Sequence, residues 1–299
     1  MNLSTLTRRF QKEAQQPEPD AASSSSTHQY DVNDQDSLWK EVLASQHSIE
    51  PWTPVDPATP KPEGAVRIVC ISDTHNRRLP VSPPPGDILI HAGDFSGTGT
   101  FKEVTAFSDY LGELAPHYGS IVVIAGNHDL PFDVQNYARI GPQFHRRGLE
   151  DPDKVRGALK NCIYVEHEAV EVQGVRFFGS PFQPEFCNWA FNVDRGEALA
   201  AKWRDIPADI DVLVTHGPPL GIGDLVISGQ HVGCADLLRE VTERVRPRFH
   251  VFGHIHESPG AWTNGETVFI NASSCTIAYR ALNPPIVFDF VPTIKEKSI

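Results

Sequence analysis

The chain has 299 residues, room for one or two domains, and its 26 basic and 38 acidic side chains give a formal charge of −12. Hydrophobic residues make up 40% and charged residues 21%, a globular composition that excludes a collagen, a coiled coil and a wholly disordered chain. The acidic balance argues against binding a nucleic-acid duplex, which needs a basic face. It leaves open a small anionic substrate, because a bound metal ion reverses the local charge.

Residues 1–64 carry a serine run at 23–26 and prolines at 17, 19, 51, 54, 57, 60 and 62. Such a segment buries too little apolar surface to offset its ordering entropy, so a disordered tail is expected. Within it, Leu38-Trp39 and Val42-Leu43 form a short helical stripe suited to a transient helix, a patch docking on the domain or a partner motif. The first ten residues have a faint look of a mitochondrial presequence, which Glu13 and Glu18 weaken. No apolar run approaches the ~20 residues of a membrane-spanning helix, so no membrane partner is expected.

Residues 65–299 suit one α/β domain. Strand-length apolar runs occur at 66–71, 87–92, 121–125, 211–214 and 250–252, and their near-continuous β-branched character predicts strands covered on both faces. Helical stretches are expected at about 101–115, 196–203 and 234–245, a hairpin at 168–178, and closing strands at 267–271 and 286–290. This mixture predicts two packed mixed sheets flanked by helices. The five cysteines are an odd number, widely spaced and without a CxxC, which points to a reducing compartment, the cytoplasm.

Each predicted strand ends in residues with chemical capability. In order these are Asp73-Thr74-His75, Gly93-Asp94, Gly126-Asn127-His128-Asp129, Thr215-His216-Gly217 and Gly253-His254-Ile255-His256. Singly they are weak signals. Together, at the carboxyl ends of strands where α/β sheets bind ligands, they assemble carboxylates, an amide and histidines on one rim. Mixed imidazole and oxygen donors suit two divalent ions such as Mn²⁺, Fe²⁺, Co²⁺ or Zn²⁺. Two ions ~3.5–4 Å apart need a bridging ligand, and Asp94, which has no imidazole beside it, is the expected bridge. Two such ions with Asp73, Asp94 and a hydroxide leave a net positive site, attractive to a phosphate ester.

The order D-x-H, GD, GNHD, H, GHxH resembles the calcineurin-like metallophosphoesterases over about 67–290. The stretches Ile71-Ser-Asp-Thr-His75, Ile124-Ala-Gly-Asn-His128, Thr215-His-Gly-Pro-Pro-Leu-Gly221 and Val251-Phe-Gly-His-Ile-His-Glu257 are most similar to the small branch of metallophosphoesterase domain-containing proteins. The resemblance implies a four-layer α/β/β/α sandwich. It implies Asp73, His75, Asp94 and His256 at a first metal, Asp94, Asn127, His216 and His254 at a second, and His128 as the catalytic histidine assisting the leaving group.

The stretch Gly93-Asp94-Phe95-Ser96-Gly97-Thr98-Gly99 lacks the arginine that follows in the protein phosphatases of this superfamily. A guanidinium fork is the natural reader of a dianionic monoester. Its absence lowers the protein-phosphatase reading, and the branch resembled implies hydrolysis of small or nucleotide-type phosphodiesters by a metal-bound hydroxide, with a phosphomonoesterase or a catalytically weak scaffold as alternatives. His91 and His250 are expected to be buried core histidines and His231 a solvated loop residue. Asp129 is expected to orient His128 or to cap the next helix. Phe182, Phe186, Trp189 and Phe191 are expected to be core, or a wall that stacks a flat group.

Overall fold

The computed structural model describes residues 31–292 apart from 32 and 42; the expectations for 1–30 lie outside the described residues. Its strands are β1 (Glu50–Pro51), β2 (Val66–Ile71), β3 (Ile88–Ala92), β4 (Ser120–Ile124), β5 (Ile163–Tyr164), β6 (Glu168–Val172), β7 (Val175–Ser180), β8 (Gln183–Pro184), β9 (Asn192–Val193), β10 (Val212–Thr215), β11 (Phe249–Phe252), β12 (Gly260–Thr263), β13 (Val268–Asn271) and β14 (Ile286–Phe290). The α-helices are α1 (Gln35–Glu41), α2 (Phe101–Leu114), α3 (Val134–Ile140), α4 (Pro152–Ala158), α5 (Glu197–Arg204) and α6 (Ala235–Arg239). The expected helix at 234–245 is split, because α6 continues as a π-helical turn over Glu240–Val245.

The strands form two large mixed sheets, in the orders β14-β2-β3-β4-β5 and β1-β12-β13-β11-β10-β7-β6. Side-chain alternation sets the layers. Val66, Ile68 and Cys70 of β2 join Ile88, Ile90, Val122 and Ile124 against Phe177, Val212, Val214, Val251 and Ile270 of the other sheet. The opposite faces carry helices. Val69, Ile71, Leu89 and Val123 pack on Val104, Phe107 and Leu111 of α2. Leu213, Phe252 and Phe269 pack on Leu199 and Trp203 of α5 and on Leu237 and Leu238 of α6. The central strands of both sheets are thus buried on both faces, which is why they read as continuous apolar runs, whereas edge strands such as β6 stay largely exposed. Burying each such side chain contributes roughly 1.5–3 kcal/mol.

The segment at 97–100, which has a loosely phosphate-loop-like composition, leads into α2 and supplies its N-cap, Thr100. Thr100 and Glu103 form a reciprocal capping box, with Glu103 N donating to Thr100 Oγ1 at 3.3 Å and Thr100 N to Glu103 Oε2 at 2.9 Å.

Residues 33–64 do not lie apart from the domain, in contrast to the tail expected up to residue 64. Leu38, Trp39 and Leu43 pack on the α5–α6 cluster. The Trp39 ring fills space that a Cβ on Gly221 would need. The Asp36 carboxylate accepts from His231 N at 2.9 Å, and the Gln35 amide oxygen accepts from Ala235 N at 2.8 Å. β1 pairs antiparallel with β12, and Trp52 packs on the inter-sheet core. A few well-placed aromatic and polar anchors therefore hold a segment whose average composition reads as unstructured.

Candidate metal centre

In one sheet β2, β3 and β4 run parallel, and in the other β10 and β11 do, so their carboxyl ends meet at one edge of the sandwich. A backbone bond links the two sheets there, Ser274 N donating to Ser72 O at 2.9 Å, while Gly253 N donates to His216 O at 3.0 Å between the neighbouring ends of β11 and β10. The turns leaving the strands are tight. Asp73, His75, Asp94 and His254 have φ of 52°, 44°, 55° and 66°, left-handed conformations that cost side-chain-bearing residues of order 1–3 kcal/mol each. Two glycines make the convergence possible. A Cβ on Gly253 would collide with the Asp73 carboxylate, and one on Gly126 with the carboxylate of Asp94.

The structure brings all the expected site residues together. Ligand-capable atoms of Asp73, His75 and His256 lie within 4.8 Å of one another, as do those of Asp94, His216 and His254, and those of His75, Asp94 and His128. Asp94 belongs to two of these groups, with Oδ1 3.4 Å from His216 Nε2 and Oδ2 3.8 Å from His75 Nε2. The Asn127 amide oxygen is 2.9 Å from His216 Nε2. Both carboxylates are buried, and backbone amides help hold them: His254 N donates to Asp73 at 3.0 Å, and His128 N to Asp94 Oδ1 at 2.8 Å.

The imidazoles share one device. Nδ1 of His75 is 3.1 Å from Ser96 O, that of His216 2.9 Å from Ala92 O, that of His256 3.2 Å from Thr276 O and that of His128 2.7 Å from Gly97 O. A carbonyl only accepts, so each Nδ1 carries the hydrogen and each Nε2 is left with its lone pair. His75 Nε2 and His256 Nε2 then face each other at 3.3 Å. Two lone pairs at that distance repel unless a proton or a cation lies between them. The donor set therefore fits divalent metal ions.

Electrostatics agree with this fit. Burial alone would raise Asp73, yet the hydrogen bond and charge of His256 hold it well below the usual carboxylate range. Asp94 is likewise held low, the charge of His216 outweighing burial. His216 is pushed up to about 9, its burial overcome by Asp94. Burial pushes His75 down to about 4 and His254 down to about 3. The cluster thus holds ionised carboxylates beside His75 and His254, which burial keeps neutral, while Asp94 and Asp73, outweighing burial, raise His216 and His256, so a metal ion binding there displaces protons from these two.

The family model of the calcineurin-like phosphoesterases matches residues 66–258. The chain belongs to this family. A human metallophosphoesterase domain-containing protein 1 is 48% identical over 248 residues, covering 80% of this chain and 75% of that protein. Two UPF0046 proteins of Caenorhabditis elegans are 40% identical over 279 residues and 41% identical over 262; they cover 88% and 84% of this chain, and 69% and 90% of their own lengths. The two packed mixed sheets with outer helices are the fold expected of a calcineurin-like phosphoesterase.

A cavity of about 510 Å³ opens beside the cluster, lined by Asp94, Asn127, His128, His254 and His256 together with Phe186, Arg195, Tyr279 and their neighbours. Several of its features were not legible in the sequence. Trp189 stacks on the His128 ring, and Tyr279 sets its edge against His75 at 4.8 Å between centroids. Arg195, from the segment between β9 and α5, also lines the cavity. Of the four aromatics weighed as core or wall, Phe191 is buried, Phe182 and Trp189 pack on the core, and exposed Phe186 meets His254 edge-on at 5.5 Å.

Three expectations about single residues resolve differently from one another. His91 and His250 are fully buried, with Nε2 2.9 Å from Thr74 Oγ1 and 2.8 Å from Thr215 Oγ1 respectively, as expected of core histidines. His231 is not a solvated loop residue; its Nδ1 is 2.7 Å from the buried carboxylate of Asp224. Asp129 neither caps a helix nor contacts the His128 ring. Its carboxylate accepts from Ser96 N, Ser96 Oγ and Gly126 N, tying the two ligand turns together, and burial with the charge of Asp94 pushes it up to about 8. No helix among the described residues is long and apolar enough to cross a membrane.

Proposed function

We propose that this chain is a binuclear metal-dependent phosphoesterase acting on small phosphodiesters. The observation that carries the reading is Asp94, whose two oxygens lie toward separate imidazole groups, one with His75 and one with His216. Asp73, His75, Asp94 and His256 would hold one ion, and Asp94, Asn127, His216 and His254 the other. Mixed imidazole and oxygen donors suit Mn²⁺, Fe²⁺ or Zn²⁺. Two such ions, when bound, supply positive charge to the phosphoryl oxygens and acidify the attacking water.

The protein's own groups do the rest. His128 spends Nδ1–H on Gly97, so Nε2 is the nitrogen left to hold a proton for the departing oxygen. Asn127 offers a neutral oxygen, which preserves the positive charge that an anionic ester needs. The five cysteines are all unpaired, which supports a reducing, cytoplasmic setting.

Arg195 favours a second reading, a phosphomonoesterase, since a guanidinium in the cavity suits a dianion. Metal analysis with rates on 4-nitrophenyl phosphate and bis(4-nitrophenyl) phosphate separates them. Two ions per chain and a diester preference above ~10-fold are expected. A monoester preference would replace the first reading with the second. A chain inert on both would point to the scaffold alternative.

A further inference from the structure

Arg195 lies between β9 and α5. Its Nη1 donates to Gly233 O at 2.8 Å and its Nη2 to Val232 O at 2.7 Å. Those bonds use two of the five guanidinium N–H groups and fix its plane, leaving three. Among the described residues no carboxylate lies within ion-pair distance of it. The acids around it are committed elsewhere: Asp224 accepts from Gly221 N and Gly233 N and pairs with His231, and Asp236 pairs with Arg239. Glu185 and Glu257 line the cavity but are exposed, and neither pairs with it.

A guanidinium half-removed from water without a counter-anion is costly, and burial pushes its pKa below the ordinary value. The cost is recovered when an anion arrives. Arg195 is the one Lys or Arg side chain among the residues lining this cavity. None of its hydrogen bonds reaches the metal-donor residues; both go to the 232–233 backbone on the cavity wall. The cavity is thus lined by the metal-donor cluster, suited to the reacting phosphate, and by this fixed cation, with Val226, Val232, Phe186 and Ile277 supplying apolar wall. Its volume suits a ligand of nucleotide size.

We propose that Arg195 determines specificity by binding a second phosphate group, carried on an arm of the ester remote from the reacting phosphorus. The substrate class is then a phosphoester bearing two separated phosphates. This rests on the metal-dependent phosphoesterase reading for the first of them. A fork held by two carbonyls is preorganised for bidentate contact, and a charge-assisted pair out of bulk water is worth ~10–100-fold in affinity.

The test is calorimetric affinity on the manganese-loaded full chain, with thymidine 3′,5′-bisphosphate and thymidine 5′-monophosphate as probes. The wild type is expected to bind the bisphosphate ~10–100-fold more tightly. Arg195→Met should bring that ratio to within ~3-fold of one. Arg195→Gln, which keeps amide donors for the Val232 and Gly233 carbonyls, should do the same if Arg195→Met does not fold. A ratio unchanged in the folded variant overturns the proposal. So does an equal fall for both probes, which would mean that Arg195 acts on the shared phosphate or merely holds the loop. A chain that hydrolysed no diester would fail the catalytic reading and leave this affinity ratio separately measurable.

Discussion

The ring of Trp189 lies against the ring of His128, with centroids 4.0 Å apart and planes 25° from parallel. Behind it stands Phe144, centroid to centroid 4.1 Å from Trp189. Across the histidine, His75 presents its edge at 4.5 Å, and the 2.7 Å bond from Nδ1 to Gly97 O fixes the ring's rotation. The side chain proposed to protonate the leaving group is therefore held by a stacked ring, a T-shaped ring contact and a hydrogen bond. Small misplacements of a catalytic group are costly in rate. Trp189→Ala is expected to lower turnover by roughly 10-fold while metal content stays at the wild-type value, and Trp189→Phe should restore most of it. The loss should be larger for diesters with poor leaving groups. A uniform loss across leaving groups would assign Trp189 to packing alone.

The donor residues were legible because each follows a strand end in chain order and needs a specific side-chain chemistry. Gly126 and Gly253 stood in the same motifs, but their purpose, leaving room for the adjoining carboxylates, emerges only in the fold. The partners that orient the imidazoles were not legible, because Ser96, Gly97 and Thr276 act through backbone carbonyls that any residue carries. Arg195 escaped notice for another reason. It is separated from Asp94 by 195 − 94 = 101 positions, and only the folded chain brings it to the same cavity. In the strap at 33–64 the Leu38–Leu43 stripe was legible as a patch able to dock on the domain, whereas the anchoring of the rest was not, because composition averages over single anchors such as Trp52.

His75 Nε2 and His256 Nε2 lie 3.3 Å apart with both Nδ1 atoms already donating, so a proton or a metal ion must separate their lone pairs, and a bound ion adds its binding free energy to the fold. Metal removal should therefore destabilise the fold as well as stop catalysis. Binding at ~100 times Kd contributes about 2.7 kcal/mol. For a domain of this size that corresponds to roughly 5–10 °C in Tm. Melting with excess chelator and with excess Mn²⁺ measures it, and a shift below ~1 °C would count against a metal site here.

His254 occupies a left-handed φ of 66°, a conformation that favours glycine. Histidine at that position is explained by its place beside Asp94 and His216. His254→Gly removes one imidazole and relieves the backbone together. Metal-free, the variant should melt no lower than the parent; metal-loaded, it should melt lower and bind one of the two ions more weakly. Excess Mn²⁺ should partly restore activity. A variant that melts lower in both states would make His254 a packing residue instead.

Trp39 packs where Gly221 has no side chain, and Gly221 begins a loop that continues through Val226, Val232 and Gly233 along the cavity wall. Asp36 holds that same loop through His231 N, and the ring of His231 lies 5.6 Å from that of Trp39. The strap is thus a support for one wall of the proposed substrate cavity. Deleting the chain up to Gly64 should remove this support together with the β1 pairing and the Trp52 contact. Trp39→Ala, which leaves the rest of the strap, isolates the support. Truncating a fully buried tryptophan costs ~3–5 kcal/mol, so this half-buried one should cost about 2 kcal/mol, or roughly 4–8 °C in Tm. Limited proteolysis should then cut first within 221–233, and the KM for phosphoesters should rise more than kcat falls. If Trp39→Ala lowers Tm but leaves proteolysis of that loop and KM as in the parent, the strap contributes stability without shaping the cavity.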